Sequence, residues 1–261
     1  MARKPGRISS NGSPNGSAAA AFYRAVLAMV NRSRIPALVG GGYAVNCYTG
    51  INRGTKDIDI FCRAGDYPRI LKQAADHGFH TEVEDERWIA KIKRGKLFCD
   101  VIFGSANLLA PVTDLWFQQQ HRCRVFGVPV NLIPPTELIL SKAFIMDRIK
   151  FDGNDIVHVI LAKHGVIDWR RLLSYLDVHW EVLLVHILRF RYIYPFARDA
   201  IPAWLVDELV GRVRLQGTTP LPQKKACRGR VFSLADFEVD VTEWGFADAV
   251  GDEKKIGGEK R

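Results

Sequence analysis

Residues Val39–Phe61 have the sequence VGGGYAVNCYTGINRGTKDIDIF, in which three glycines are followed by two closely spaced aspartates. The apolar run Ile35–Val39 before the glycines predicts a short buried strand, and Tyr43–Tyr48 predicts a short helix. The alternation of polar and apolar residues in Asp57–Arg63 predicts a second strand with one buried face. The segment therefore predicts the order strand, glycine turn, helix, loop and strand.

Asp57 and Asp59 are the first acidic residues of the chain, and their spacing places both on one face of the predicted strand. Like charges this close favour a bound counterion, and grouped carboxylates suit Mg²⁺, which also accepts substrate phosphates. Gly41 and Gly42 precede a helix, so their backbone N–H groups can approach a phosphate with no side chain in the way. Alone, the aspartates are compatible with a solvated strand face and the glycines with an ordinary turn; together they form a more specific pattern.

This combined pattern resembles the nucleotidyltransferase (polymerase-beta-like) superfamily. The residues GGYAV followed by R-x-T-x-DIDIF are similar to the small bacterial branch that contains AbiE-type toxins and the aminoglycoside or lincosamide nucleotidyltransferases. The resemblance implies an enzyme that transfers a nucleoside monophosphate from a nucleoside triphosphate (NTP), ATP being one candidate, to a hydroxyl acceptor. It also implies a two-metal mechanism with Mg²⁺ or Mn²⁺.

The superfamily implies a third carboxylate on a later strand, and Asp100 fits because it lies among apolar residues of Lys96–Phe103. The alternative for Asp100 is an edge-strand residue paired with Lys91 or Lys93. Three other acids compete for the same role but are expected at a turn: Glu82, Glu84 and Asp85.

The resemblance assigns roles to the remaining residues of the motif. Asp57, Asp59 and Asp100 are the predicted metal ligands and catalytic residues. The predicted contacts to the triphosphate are Gly41, Gly42, Arg53, Thr55, Lys56 and, more loosely, Lys142. For Lys142 the alternative is a cation on the solvated face of a helix.

The rest of the chain predicts an α+β protein, with a mixed sheet flanked by helices and then a mostly helical C-terminal half. The predicted parts are a disordered leader (1–16), a nucleotidyltransferase core (17–133), a helical domain (134–250) and a charged tail (251–261). The leader is also basic and Ser-rich, as transit peptides are. The five cysteines are scattered without a CxxC pair, so no disulfide framework and a reducing, cytoplasmic location are expected. No apolar run is long enough to span a membrane.

The net charge of +9 is concentrated in few places. Residues 211–235 contain no acid and six basic residues: Arg212, Arg214, Lys224, Lys225, Arg228 and Arg230. This segment favours RNA over a small molecule or a protein as the hydroxyl acceptor. Two alternatives stay open: a non-catalytic nucleotide- or RNA-binding module with the same fold, and a toxin that uses the same chemistry beside an antitoxin-like partner.

Overall fold

The computed structural model describes residues 16–119 and 121–250. It divides into two compact units, one up to Leu138 and one from Ile139 onward. The first is mixed α/β and the second is mostly helical, so the predicted α+β class is confirmed. The predicted boundary after residue 133 stays a prediction. The predicted leader (except Gly16) and the predicted tail lie outside the described residues.

The first unit is built on a seven-stranded sheet with the strand order β3-β4-β5-β2-β1-β7-β6. The pairs β2–β5 and β1–β7 are parallel, and the other neighbours are antiparallel. Its elements are α1 (Ser17–Ser33), β1 (Leu38–Val39), α2 (Gly41–Thr49), β2 (Asp59–Phe61), α3 (Tyr67–Asp76), β3 (His80–Asp85), β4 (Ile89–Arg94), β5 (Leu97–Ile102), β6 (His121–Val125) and β7 (Val128–Leu132).

Strand β2 lies near the middle of this sheet, and its burial follows the alternation in the sequence. Ile58 and Ile60 are buried, whereas Asp59 between them is half-buried. Helices α1 and α3 contact each other and cover the sheet, α1 against β5 and β7 and α3 against β3 and β4. The apolar face of α1 is therefore buried, with Phe22 and Tyr23 among the largest buried side chains.

The structure differs from the sequence prediction at the ends of several elements. Helix α2 begins at Gly41 rather than Tyr43, and β2 begins at Asp59, so Asp57 lies in a bend before the strand. The acids expected at a turn lie instead within β3, residues His80–Asp85. Strand β6, which the pattern did not predict, pairs with β7 through a two-residue turn at Phe126 and Gly127, both with positive φ.

The second unit packs helices around an apolar core. Helix α7 contacts both α5 and α8. Helix α4 (Pro135–Ala143) contains the boundary between the units. The following elements are α5 (Gly153–Lys163), α6 (Trp169–Tyr175), α7 (Trp180–Ile193), α8 (Ala203–Thr218), β8 (Ala226–Cys227), α9 (Glu238–Thr242) and β9 (Ala247–Asp248), with β8 and β9 paired in parallel.

None of the helices within 16–119 and 121–250 combines the length and the apolar character needed to cross a bilayer.

Candidate active site

The start of α2 lies against the carboxylate of Asp59. Gly41 has a φ of +53°, and a Cβ built at this position would lie 1.5 Å from Asp59 Oδ2. The N–H of Gly40 donates a hydrogen bond to the Asp59 carbonyl at 2.9 Å, which joins the turn to β2. A glycine is thus required at position 41 for two reasons, its backbone conformation and the space that the carboxylate occupies.

Asp59 and Asp100 are direct neighbours across two parallel strands. They are register partners in the β2–β5 pair, and the Asp100 N–H donates to the Ile58 carbonyl at 2.9 Å. Register partners on adjacent strands lie about 5 Å apart with their side chains on the same face of the sheet. The sequence prediction that Asp100 lies on the same sheet beside the Asp-x-Asp strand is thus matched by the register.

Lys91 is the cation closest to this carboxylate pair in the β4–β5 hairpin. It is the register partner of Asp100, and its Nζ lies 4.0 Å from Asp100 Oδ1. It also forms an ion pair with Glu84. Partial burial acts to lower the pKa of Lys91, but the carboxylates of Glu84 and Asp100 outweigh it and raise the pKa. Strand β5 is interior, so the edge-strand alternative for Asp100 is wrong, although the predicted contact with Lys91 is present.

Asp57 lies in the bend before β2. The Thr55 hydroxyl lies 3.2 Å from the Asp57 carbonyl and 3.4 Å from Asp57 Oδ1, as a donor to both. All three aspartates affect the pKa of one buried side chain of β5, that of Cys99. Burial raises the pKa of the Cys99 thiol well above its usual value, and the charges of Asp100, Asp59 and Asp57 raise it further. The charges of all three predicted carboxylates therefore reach the Cys99 thiol.

The three competing acids of β3 are each paired with a cation of their own hairpin. Glu82 pairs with Lys93, Glu84 with Lys91, and Asp85 with Arg87. A hydrogen bond from Arg87 lowers the pKa of Asp85, and one from Lys93 lowers that of Glu82. Each of these three acids therefore has a cation as its partner and does not need a metal ion to balance its charge.

The donor set of Asp57, Asp59 and Asp100 consists of hard oxygen ligands, which are the ligands that Mg²⁺ and Mn²⁺ take in proteins. Two of these carboxylates, Asp59 and Asp100, are adjacent, and the absence of a Cβ at Gly41 leaves room for the Asp59 carboxylate beside the first turn of α2. Across the described ranges 16–119 and 121–250, no three His, Cys, Asp or Glu side chains are grouped closely enough to hold one metal ion. The protein therefore offers two adjacent carboxylates, which is the number that Mg²⁺ uses when phosphate oxygens complete its shell.

The loop between α2 and β2, Ile51–Lys56, carries the predicted triphosphate contacts. Arg53 and Lys56 are exposed, and Thr55 is half-buried. A Cβ at Gly42 would lie 3.2 Å from Thr55, so the loop packs directly on the first turn of α2. The structure thus brings Gly41, Gly42 and Thr55 together beside Asp59, while Arg53 and Lys56 lie exposed in the same loop.

Two residues that hold this loop were not predicted. Asn46, buried in α2, contacts the backbone of Arg53, and the buried Tyr23 hydroxyl donates to the Lys56 carbonyl at 2.6 Å. An asparagine in an otherwise apolar helix segment was the available signal for Asn46, because a buried amide needs partners.

Lys142 lies in the second unit and is buried rather than solvated. Its Nζ is 2.7 Å from Asp152 and 3.0 Å from Asp155. Burial acts to lower the pKa of Lys142, but the two carboxylates outweigh it and raise the pKa. The predicted phosphate contact of Lys142 stays a prediction, and the solvated-face alternative is wrong.

Most cations of the basic segment 211–235 make contacts within their own unit. Four of the six have such contacts: Arg212 with Asp177 and Glu208, Arg228 with Glu181, Arg230 with Asp248, and Lys225 with the Trp244 carbonyl and the Phe246 ring. This part of the chain is therefore not a stretch of freely available positive charge.

Cys47 of α2 and Cys123 of β6 form a disulfide bond. The sequence predicted no disulfide framework, and this single bond was not foreseen. The reason is topological: β6 was not predicted, so nothing in the sequence placed Cys123 beside α2. Cys62, Cys99 and Cys227 are buried and reduced.

No known family model and no curated protein matches this chain. Among solved structures it is similar to the lincosamide antibiotic adenylyltransferase LnuA, with 18% identity, 57% of this chain and 98% of that chain covered and a TM-score of 0.40. A nucleotidyltransferase-like protein from Paracoccidioides brasiliensis gives 16% identity, 71% and 94% coverage and a TM-score of 0.45. The antibiotic-resistance factor ANT(2'')-Ia gives 15% identity, 71% and 97% coverage and a TM-score of 0.42.

Each of these TM-scores is below 0.5, so the function of this chain has to be inferred from its own site residues.

Proposed function

We propose that this protein is a metal-dependent nucleotidyltransferase that moves a nucleoside monophosphate from an NTP to a hydroxyl acceptor. The observation that carries the proposal is the pairing of Asp59 with Asp100 on adjacent parallel strands beside the first turn of α2. A helix start that lacks side chains, next to two carboxylates, provides backbone donors for phosphate oxygens and ligands for the cation that accompanies a triphosphate.

Asp59 and Asp100 would hold the divalent cation together with phosphate oxygens of the NTP, and the predicted role of Asp57 as a further metal ligand stays a prediction from the sequence. When bound, Mg²⁺ or Mn²⁺ would neutralise charge on the triphosphate and on the leaving pyrophosphate. The buried surroundings of this sheet strengthen the attraction between the carboxylates and a cation, because the effective dielectric constant there is lower than in water.

Gly41 and Gly42 would direct their backbone N–H groups at phosphate oxygens, while Arg53 and Lys56 add positive charge from the loop. The Thr55 hydroxyl contacts Asp57 and thereby orients its carboxylate. Asp100 would accept the proton of the acceptor hydroxyl as its oxygen attacks the α-phosphorus. The new bond joins the acceptor oxygen to the α-phosphorus, the bond from that phosphorus to the bridging oxygen breaks, and pyrophosphate leaves with the electron pair.

The class of the acceptor is a separate part of the proposal. The basic segment 211–235 favoured RNA on charge alone, but four of its six cations already contact partners within the second unit. A hydroxyl on a small molecule, a tRNA or a protein therefore stays open as the acceptor. An antitoxin-like partner and a cytoplasmic location stay predictions from the sequence.

The proposal is tested by incubating the purified protein with each α-labelled NTP, Mg²⁺ and a cell extract, and by measuring pyrophosphate release and the labelled product. Asp59→Asn and Asp100→Asn should each lower the rate at least 100-fold. Asp76→Asn serves as the matched control, because Asp76 is an exposed carboxylate paired with Lys72 on α3. NTP binding without pyrophosphate release would show a non-catalytic module, and undiminished rates in both Asp variants would refute the site.

A further inference from the structure

The loop that carries Arg53 and Lys56 has no regular secondary structure, yet the backbone at both of these residues is anchored. Asn46 is 3% exposed and makes two hydrogen bonds with Arg53: its Nδ2 donates to the Arg53 carbonyl at 2.9 Å, and the Arg53 N–H donates to its Oδ1 at 3.3 Å. One amide side chain thus satisfies both the backbone donor and the backbone acceptor of one loop residue, as a neighbouring strand would.

The second anchor is Tyr23 of α1. It is fully buried, and its hydroxyl donates to the Lys56 carbonyl at 2.6 Å. Burial raises the pKa of Tyr23 above its usual value, and the charges of Asp57 and Asp100 raise it further, so the phenol stays protonated and remains a donor. The two anchors are three residues apart in the loop and come from different helices, α2 and α1.

The anchors also connect the loop to the rest of the site. Asn46 lies on the same helix whose first residue, Gly41, lies against Asp59. The Tyr23 bond holds the C-terminal end of the loop at Lys56, close in sequence to the start of β2. A displacement of the loop would therefore move its cations relative to the carboxylates.

We propose that Asn46 and Tyr23 are positioning residues for NTP binding: they hold the Ile51–Lys56 loop in the conformation that presents Arg53 and Lys56 to the triphosphate. This inference rests on the proposed function. A loop ordered during folding does not have to be ordered again when the NTP binds, so the anchors increase NTP affinity by preorganisation. Their loss should raise the KM for NTP and leave kcat nearly unchanged, because the reacting groups are not altered.

The chain offers matched controls for both anchors. Tyr48 is a second buried tyrosine whose hydroxyl donates to a backbone carbonyl, that of Ile133 at 2.7 Å, and it lies on α2 without contacting the loop backbone in this way. Asn31 of α1 donates from Nδ2 to the Pro129 carbonyl at 2.7 Å. Tyr48→Phe and Asn31→Ala therefore remove the same kinds of hydrogen bond elsewhere in the first unit.

The experiment compares Tyr23→Phe and Asn46→Ala with Tyr48→Phe and Asn31→Ala in two assays. We expect the KM for NTP to rise roughly fivefold for Tyr23→Phe and about tenfold for Asn46→Ala, with no such rise in the controls. Asn46→Ser keeps a hydroxyl that can serve only one of the two Arg53 groups, so its KM should lie between those of wild type and Asn46→Ala. This milder variant also covers the case in which Asn46→Ala does not fold.

The second assay is limited trypsin digestion, which does not depend on activity, since Arg53 and Lys56 are trypsin sites inside the loop. Mass spectrometry should show faster cleavage after these two residues in Tyr23→Phe and Asn46→Ala only. Equal cleavage in anchor and control variants overturns the positioning role whatever the protein catalyses. Faster cleavage with an unchanged KM in an active enzyme overturns the role in NTP binding, whereas a wild-type protein that neither binds nor uses NTP overturns the proposed function itself.

Discussion

Replacing Gly41 by alanine should disable the site with only a moderate loss of stability. The new Cβ would lie 1.5 Å from Asp59 Oδ2, whereas real Cβ contacts are essentially never under 3.0 Å. The carboxylate must therefore move by roughly 1.5 Å, and a misplacement of about 1 Å in a catalytic group can cost about 100-fold in rate. We expect a fall in kcat/KM of roughly that size.

The backbone part of this perturbation can be measured separately at Gly50. Gly50 follows the last residue of α2 with a φ of +72°, and no atom lies within 4 Å of a Cβ built there. Both alanine variants carry the cost of a left-handed conformation, about 1–2 kcal/mol, but only Gly41→Ala pushes on Asp59. Gly50→Ala should therefore lower the free energy of unfolding and keep full activity.

The assay combines pyrophosphate release under saturating and limiting NTP with urea unfolding of both variants. The predicted result is a rate loss confined to Gly41→Ala. If Gly41→Ala turned over NTP as fast as Gly50→Ala does, the carboxylate of Asp59 would not need the position seen in the structure, and the reasoning would be refuted.

Two further predictions concern stability. Lys142→Met removes the buried cation that pairs with Asp152 and Asp155 and should lower the free energy of unfolding by about 3–5 kcal/mol in urea titrations. The contribution of this ion pair to the free energy of unfolding should be complete below pH ~10.4, the usual pKa of lysine in an unfolded chain. It should be lost as the pH rises through the raised pKa of folded Lys142. If wild type and Lys142→Met lost the same amount of stability at alkaline pH, the result would contradict this prediction. Reduction of the Cys47–Cys123 bond, which closes a loop with a sequence separation of 76, should cost roughly 4 kcal/mol. Dithiothreitol should lower the Tm of the wild type and leave a Cys47→Ser/Cys123→Ser variant unaffected, and an unchanged wild-type Tm would contradict the bond.

Much of the site could be predicted because its signals are local. The alternation around Asp59 specifies a strand with one buried face, and the glycines before Tyr43 specify a helix start with an open approach. Asp100 could be found because the superfamily resemblance implies a third carboxylate on a later strand, and an aspartate within an apolar strand needs a partner.

The features that the sequence did not predict depend on contacts between distant segments. Strand β6 carries the polar residues of an edge strand, so its pattern resembles that of a loop. The disulfide depends on the place of β6 in the sheet. The partners of Asn46 and Tyr23 are backbone groups of the loop, and backbone groups are the same in every sequence.

The seven-stranded sheet also has two outer strands, and their side chains bear on whether this protein can polymerise. An outer strand exposes unpaired N–H and C=O groups, to which the strand of another molecule can add. On β3, the acidic residues Glu82 and Glu84 pair with the lysines of β4. On β6, Arg122 and Arg124 are exposed on either side of the disulfide-bonded Cys123. Two copies meeting β6 to β6 would bring arginines together, so charge repulsion opposes growth of the sheet into a fibre at that edge.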